Sequence, residues 1–415
     1  MKDDLVVNPF LQIQFYNEQE CEYFLVTPKP QTGLQYLKIS ESEKPNLFEI
    51  FLDLAKVRFD LLDIEKDLNE NEFDLLFQTG VLVKSSDIPQ KPLFNCPLSE
   101  VETTDLEIDV SSLIANPTFE FQAANLVIFG SWIQEKHLSP FQPSVWIKIA
   151  LAGIEVGYWL SQEQAEIVSQ FKAGEKLPFE IEKNLLSKLI AAEIVVSPEI
   201  QNSKVENLRQ LLSQAKNDFA QKKYSVLRSI LPATQMKAMR HYYREYIKQG
   251  FMPFGDSQVN RRYYQHNEPL AKFFHKNLTE LMSIIAGEEV KPSYVYAASY
   301  KEGAALKPHI DRDVCKFSFS FQVDYLPEQQ NHLSPWALYL STKEVSIDDP
   351  ASFEWENFPP DAENEHAKAV YLASGDCLVY KGCELTHYRY ALPEGHQSTS
   401  LFFHYVPADF EGDLN

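Results

Sequence analysis

The sharpest alternation of apolar and polar positions lies near the C-terminal end of the chain. Phe317, Phe319, Phe321, Val323 and Tyr325 interleave with Ser318, Ser320, Gln322 and Asp324. A period of two predicts a half-buried β-strand with one aromatic and one polar face. Residues 367–373, Ser374-Gly375-Asp376 and residues 377–381 read as strand, tight turn and strand, and residues 398–406 as a last strand. Several short strands with turn signals between them predict a barrel or double-sheet jelly roll. Residues 224–232, 234–249 and 268–286 predict helices ahead of it.

The first 200 residues follow a different rhythm. Extended segments at 12–16 and 23–27 lead to helical patterns at 47–56 and 72–78, a stop at Gly80 and a short strand at 81–84. About one hundred residues later a similar order returns: an apolar segment from 141 to 160, helices near 163–171 and 181–191, a break at Gly174, and a strand at 193–197. Val205, Leu208, Leu211 and Leu212 form one stripe of a polar helical linker. The expected division is residues 1–105, 106–200, a linker at 201–216 and a last domain at 217–415.

Composition narrows the function. A chain of 415 residues exceeds one ordinary core. A formal charge of −21 excludes nucleic acid and anionic membrane as partners, and leaves room for a basic peptide or a metal ion. No apolar run is long enough for a signal peptide or a membrane span. Cysteines at 21, 96, 315, 377 and 383 form no CxxC pair and no disulfide framework, so a reducing cytoplasm is expected.

The candidate chemistry sits at His309, Asp311 and His387. Side chains at i and i+2 of an extended segment share a side, so His309 and Asp311 can grip one metal ion. His387, expected to open a late strand, supplies a second imidazole. Two histidines and one carboxylate on one face suit Fe(II) and leave coordination positions open. His404, inside an apolar strand, competes for the distal role, with packing or a supporting bond as its simpler reading. His366 and His396 lie in polar loops, and residues 361–365 read as a solvated acidic loop. Cys315, Cys377 and Cys383 read as small buried hydrophobes.

Tyr300, Gly303, His309 and Asp311 follow the spacing Tyr-x-x-Gly-x5-His-x-Asp, and His387 stands eleven residues after the Ser374-Gly375-Asp376 turn. With the helical preface, this resembles the Fe(II)- and 2-oxoglutarate-dependent oxygenases, especially their prolyl-hydroxylase-like branch. The resemblance covers residues 217–415. It implies an α+β chain ending in a double-stranded β-helix (jelly roll), with Fe(II), 2-oxoglutarate and O2 as cofactor and cosubstrates. It also implies hydroxylation or desaturation of an unactivated carbon, since halogenating relatives replace the carboxylate that Asp311 provides. In that family a basic residue about ten positions after the distal histidine holds the far carboxylate of 2-oxoglutarate. Ser398 stands there instead. Arg389 is the expected substitute, with Lys316 and Arg312 behind it, and Tyr300 and Ser398 add hydroxyl contacts. A surface pair of Arg389 with Glu384 is the plain alternative. The two front segments resemble tandem winged-helix modules that bind leader segments of ribosomal peptides, which implies a peptide or protein substrate. Glu72 and Asp74 stand where a DNA-reading helix needs basic or amide side chains. The alternatives are an oxygenase of a free small molecule and a catalytically silent jelly-roll binding protein.

Overall fold

The computed structural model describes residues 4–17, 22–29, 33–54, 68–103, 110–130, 141–149, 151–329, 333–358 and 367–414. Cys21, His366 and the acidic residues 361–365 lie outside them. Backbone packing divides the chain into two compact units, residues 1–207 with 244–251 and residues 208–243 with 252–415.

The first unit opens with β1 (Leu5–Val7) and the antiparallel meander β2 (Gln12–Asn17), β3 (Glu22–Lys29) and β4 (Gly33–Ser40). Helix Pro45–Leu54 follows, and helix Glu70–Gln78 is fixed at its start by a reciprocal Asn69–Glu72 capping box. It ends at Gly80, whose φ of 77° a side chain would resist. β5 (Leu82–Lys84) then pairs with β1. Leu37, Ile39, Leu47, Leu76 and Val81 close a core over these elements. Next come β6 (Leu93–Phe94), β7 (Ile114–Ala115), β8 (Glu120–Phe129), β9 (Phe141–Lys148) and β10 (Glu155–Trp159). The apolar segment at 141–160 is thus a hairpin of β9 and β10, not one element. Helices Gln162–Val168 and Lys183–Ala191 lead to β11 (Val195–Val196), which pairs with β7. Helix Pro198–Lys222 contains the whole expected linker.

The second unit is the jelly roll. Its strands are β12 (Tyr224–Leu227), β13 (Arg262–His266), β14 (Val290–Lys301), β15 (Leu306–His309), β16 (Phe317–Leu326), β17 (Leu338–Ser341), β18 (Ala367–Val370), β19 (Cys377–Tyr380), β20 (Thr386–Arg389) and β21 (Gln397–Pro407). A six-stranded sheet runs β12-β19-β16-β21-β14-β13 and a four-stranded sheet runs β15-β20-β17-β18.

Three expectations change here. Residues 224–227 form a strand, not a helix, because Tyr224 to Leu227 pair with Tyr380 to Cys377 at the sheet edge. Residues 268–286 form two helices, Pro269–Asn277 and Thr279–Ala286. β16 is buried on both faces, not one. Its aromatic face packs outward, with Phe317 against Phe219 and Phe319 against Tyr405. Its polar face looks into the roll, where Ser318, Ser320 and Gln322 are at most 1% exposed. Glu268 anchors the helical preface. Its carboxylate accepts from the hydroxyls of Tyr242 (2.5 Å) and Tyr243 (2.7 Å) and from the N–H groups of Leu270 and Ala271.

Candidate metal centre

β15 and β20 are neighbours, with His309 in register opposite His387. Their imidazole rings lie 4.2 Å apart. His309 Nδ1 donates to the Lys307 carbonyl (2.8 Å), and His387 Nδ1 donates to the Leu385 carbonyl (3.0 Å). Both Nε2 atoms are therefore left without a proton, as metal ligation requires. Asp311 follows just beyond β15. Its Oδ1 stands 3.4 Å from His387 Nε2 and 3.9 Å from His309 Nε2. Ligands at about 2.1 Å from one ion, at right angles, lie about 3 Å apart. A small closing motion brings these atoms to that separation.

The electrostatics suit a cation. Burial and the like charge of His387 lower the His309 pKa to about 4, so this ring is neutral at pH 7. Burial works against charge on Asp311, but the facing histidines outweigh it and hold the carboxyl well below its usual range. Burial likewise opposes charge on His387, and the Asp311 carboxylate overcomes it and raises its pKa.

Two residues outside the sequence motif complete the centre. Ser318 Oγ donates to Asp311 Oδ2 (3.1 Å) and lies 2.9 Å from His404 Nδ1. This holds the second carboxylate oxygen aside and leaves Oδ1 for the ion. Gly382 accepts the Asp311 N–H on its carbonyl (2.9 Å). A Cβ at Gly382 would stand 2.2 Å from Asp311 Oδ2, so only glycine allows this approach. The polar alternation of β16 signalled Ser318, but nothing in the sequence ranked it over Ser320. Gly382 carried no signal.

A cavity of about 600 Å³ opens onto the three ligands. Its wall is the inner face of the large sheet: Arg262, Tyr264 and His266 from β13, Tyr294, Tyr296 and Tyr300 from β14, and Phe402 and His404 from β21. The spacing of two along each strand is what points these residues to one side. Arg262 pairs with Asp256 (2.6 Å) and donates to the Tyr300 hydroxyl (3.0 Å). Tyr296 also bonds Asp256.

Arg389 lies two residues beyond His387 on β20, so both project to the same side, with Arg389 about 6.6 Å deeper into the roll. It is 1% exposed. Its guanidinium sits 4.4 Å over the Trp336 ring, and its one hydrogen bond among the described residues is a long one to the Trp336 carbonyl (3.5 Å). Among the described residues no carboxylate pairs with it. Burial pulls its pKa below the ordinary value, and Tyr300, Tyr380 and Tyr325 are the groups near enough to oppose that. Glu384 is not its partner, being paired with Lys223 and Lys381. Arg389 is set behind the cavity surface that Tyr300 and Tyr380 form. Ser398 is fully buried and accepts from Gln322 Nε2 (3.2 Å), away from the cavity surface. Lys316 is exposed and does not line the cavity, whereas Arg312 does. His396 is not a free loop residue, since its Nδ1 bonds the Tyr325 hydroxyl (2.7 Å). Cys315 and Cys377 are buried and Cys383 is partly so, none in a disulfide. Among the described residues no helix is long and apolar enough to cross a membrane.

No family model and no curated protein matches the chain. Solved structures do resemble about half of the chain. One is a non-heme alpha-ketoglutarate-dependent epimerase from nogalamycin biosynthesis (12% identity, 48% of this chain and 82% of that one, TM-score 0.38). Another is a prolyl-4-hydroxylase of Pseudomonas putida (15%, 47% and 98%, 0.34). A third is a Trichoplax adhaerens prolyl hydroxylase in complex with a hypoxia-inducible-factor peptide (10%, 49% and 92%, 0.36). The neighbours of this fold are thus Fe/2-oxoglutarate oxygenases, at TM-scores below 0.5, and the weight of a functional reading falls on the site's own geometry.

Proposed function

We propose that this protein is an Fe(II)- and 2-oxoglutarate-dependent dioxygenase that hydroxylates an unactivated carbon. The observation that carries this is the pairing of a facial His309–Asp311–His387 triad with a buried arginine that has no acid partner among the described residues, one strand step deeper. The donor set is right for the ion: two neutral imidazole nitrogens and one carboxylate oxygen on one face favour Fe(II) over softer or rounder ions. Iron held there, with 2-oxoglutarate and O2, supplies the oxidation of a C–H bond.

The chain's own residues do the rest. Arg389 receives the far carboxylate of 2-oxoglutarate, where its planar fork meets two oxygens and its charge is neutralised in a dry site. The Tyr300 hydroxyl, tied to Arg262, orients the cosubstrate from the opposite strand. Ser318 keeps Asp311 in a single-oxygen pose. The aromatic wall from Tyr264 to Phe402 excludes water from the reacting carbon.

The first unit, read as a pair of winged-helix-like recognition modules, holds a peptide or protein substrate by a segment remote from the reacting residue. Tethering raises the local concentration of that residue at the iron without any new contact there. A reducing cytoplasm remains the setting that its unpaired cysteines favour.

Anaerobic titration of the metal-free protein with Fe(II) and then 2-oxoglutarate tests the class. A visible charge-transfer band is expected, absent in His309→Ala. Iron binding with no band points to a different cosubstrate, and no iron binding overturns the reading. For the peptide role, removing the remote segment from a substrate peptide should raise KM and leave kcat unchanged. Equal KM values exclude it.

A further inference from the structure

The cavity wall beside Asp311 has a charge and a lone pair that the chemistry above does not use. Besides histidines and the candidate ligand Asp311, three charged side chains line it: Arg262, Asp256 and Arg312. Arg262 and Asp256 neutralise each other. Arg312 has no carboxylate at ion-pair distance among the described residues. It is exposed, and its guanidinium lies 5.1 Å from the centre of the Tyr294 ring. In a chain of net charge −21, an unmatched guanidinium facing a cavity selects an anion.

On the same tyrosine, 4.7 Å away, lies the ring of His404. Its tautomer follows from a count of protons. Ser318 has one hydroxyl hydrogen and three polar neighbours, Asp311 Oδ2, His404 Nδ1 and, at 3.4 Å, the Cys315 carbonyl. The carboxylate takes that hydrogen, because a charge-assisted bond is roughly twice as strong as a neutral one. His404 Nδ1 must then carry its own proton and donate to Ser318 Oγ. Nε2 is left as a bare acceptor. No described residue bonds it, yet it is not among the atoms sealed from solvent without a partner. It therefore opens onto the cavity that His404 lines.

We propose that Arg312, Tyr294 and His404 form the substrate subsite for an acylamino acid, with the carboxylate on Arg312 and the adjacent N–H on His404 Nε2. The subsite rests on the dioxygenase reading, which reserves Arg389 for 2-oxoglutarate. The aromatic side chains of Tyr294 and Phe402 cover the intervening atoms. The acid comes either as a small molecule or as a peptide C-terminus.

Calorimetry on the zinc- and 2-oxoglutarate-loaded protein tests this with three matched probes. Hippurate has both groups, N-benzoylglycinamide lacks the charge, and O-benzoylglycolate lacks the N–H. Hippurate should bind saturably and each analogue at least ten-fold more weakly. Arg312→Gln should erase the preference over the amide alone. His404→Phe, which keeps the ring against Tyr294, should erase the preference over the ester alone. Ser318→Ala leaves His404 in place but frees its tautomer, and should lose part of that second preference. Benzoyl-triglycine separates the sources: tighter binding with length marks a peptide terminus, weaker binding a small acid. Absence of hippurate binding overturns the subsite, as does equal binding of hippurate and its amide. So does an Arg312→Gln variant that weakens 2-oxoglutarate instead of hippurate. Failure of zinc or 2-oxoglutarate to bind in the loading titration counts against the dioxygenase reading, not against the subsite.

Discussion

Arg389→Met should make the cosubstrate-free protein more stable and at the same time blind to 2-oxoglutarate. The guanidinium is 1% exposed and has one hydrogen bond, at 3.5 Å. A buried charge in that state costs several kcal/mol, and replacing such groups by apolar ones of similar size stabilises by about 1–4 kcal/mol. Methionine matches the length and keeps contact with the Trp336 ring. With 2-oxoglutarate present the sign reverses. Loss of one partner of a buried carboxylate–guanidinium pair costs about 2–5 kcal/mol, or roughly 30- to 5,000-fold in Kd. Thermal melts of zinc-loaded protein with and without 2-oxoglutarate read both effects. At 100 times the wild-type Kd, the ligand stabilises by about 2.7 kcal/mol, and in the variant this gain should fall to about 0.9 kcal/mol or less. Arg389→Lys keeps the charge but loses the fork, and should fall between. A methionine variant that melts lower without ligand, yet still gains the full amount from 2-oxoglutarate, refutes the reasoning: Arg389 would then be a structural cation held by Trp336.

Gly382→Ala should abolish metal binding, since its Cβ would come 2.2 Å from Asp311 Oδ2; zinc calorimetry checks this, and retained affinity would mean the loop gives way. Burial, opposed by the pull of Asp311 and aided by repulsion from His387, Arg312 and His266, lowers the His404 pKa to about 4. Its folded pKa lies below the unfolded value of about 6.5, so its contribution to stability is present above pH 6.5 and is lost as pH falls towards 4. Between pH 7 and 5 that loss is about 2 kcal/mol, and urea melts of metal-free His404→Phe should lack it; an unchanged pH slope would show that His404 does not titrate as described. Glu268→Ala leaves two tyrosine hydroxyls and two N–H groups without their acceptor in the preface. Unfolding by urea should show a loss of roughly 2–4 kcal/mol, and a loss below 1 kcal/mol would mean that water replaces the carboxylate.

The grouping of His309, Asp311 and His387 was legible because its constraint is local. His309 and Asp311 need only an extended backbone, and His387 needs only a strand start; both are spacing rules that a sequence displays. The strands at 367–373, 377–381 and 398–406 were legible for the same reason, as alternation bounded by turn residues. β12 was not. Tyr224 to Leu227 have no alternation long enough to outvote a helical neighbourhood, and only pairing with β19, some 150 residues away, makes them a strand. β13 went unread for a similar reason: Arg262, Tyr264 and His266 are polar or amphipathic, so the face that lines the cavity has no apolar period.

The case of β16 shows how such errors carry function. Alternation predicted one wet face and one dry face, and the assignment of faces was right in kind. What the period cannot report is that a polar face turned away from helices may be turned towards a ligand instead of towards water. Ser318 is on that face because Asp311 needs a donor for its second oxygen, and Gln322 because the buried Ser398 hydroxyl needs one. Buried polar groups must be satisfied, so a polar row of this kind in the core marks the place where the fold has exchanged packing for chemistry. On that row Ser320 Oγ has no partner among the described residues, and behind the cavity wall Arg389 has one long bond and no carboxylate there. A fully formed site would have no reason to leave it so, and a site awaiting a dicarboxylate would.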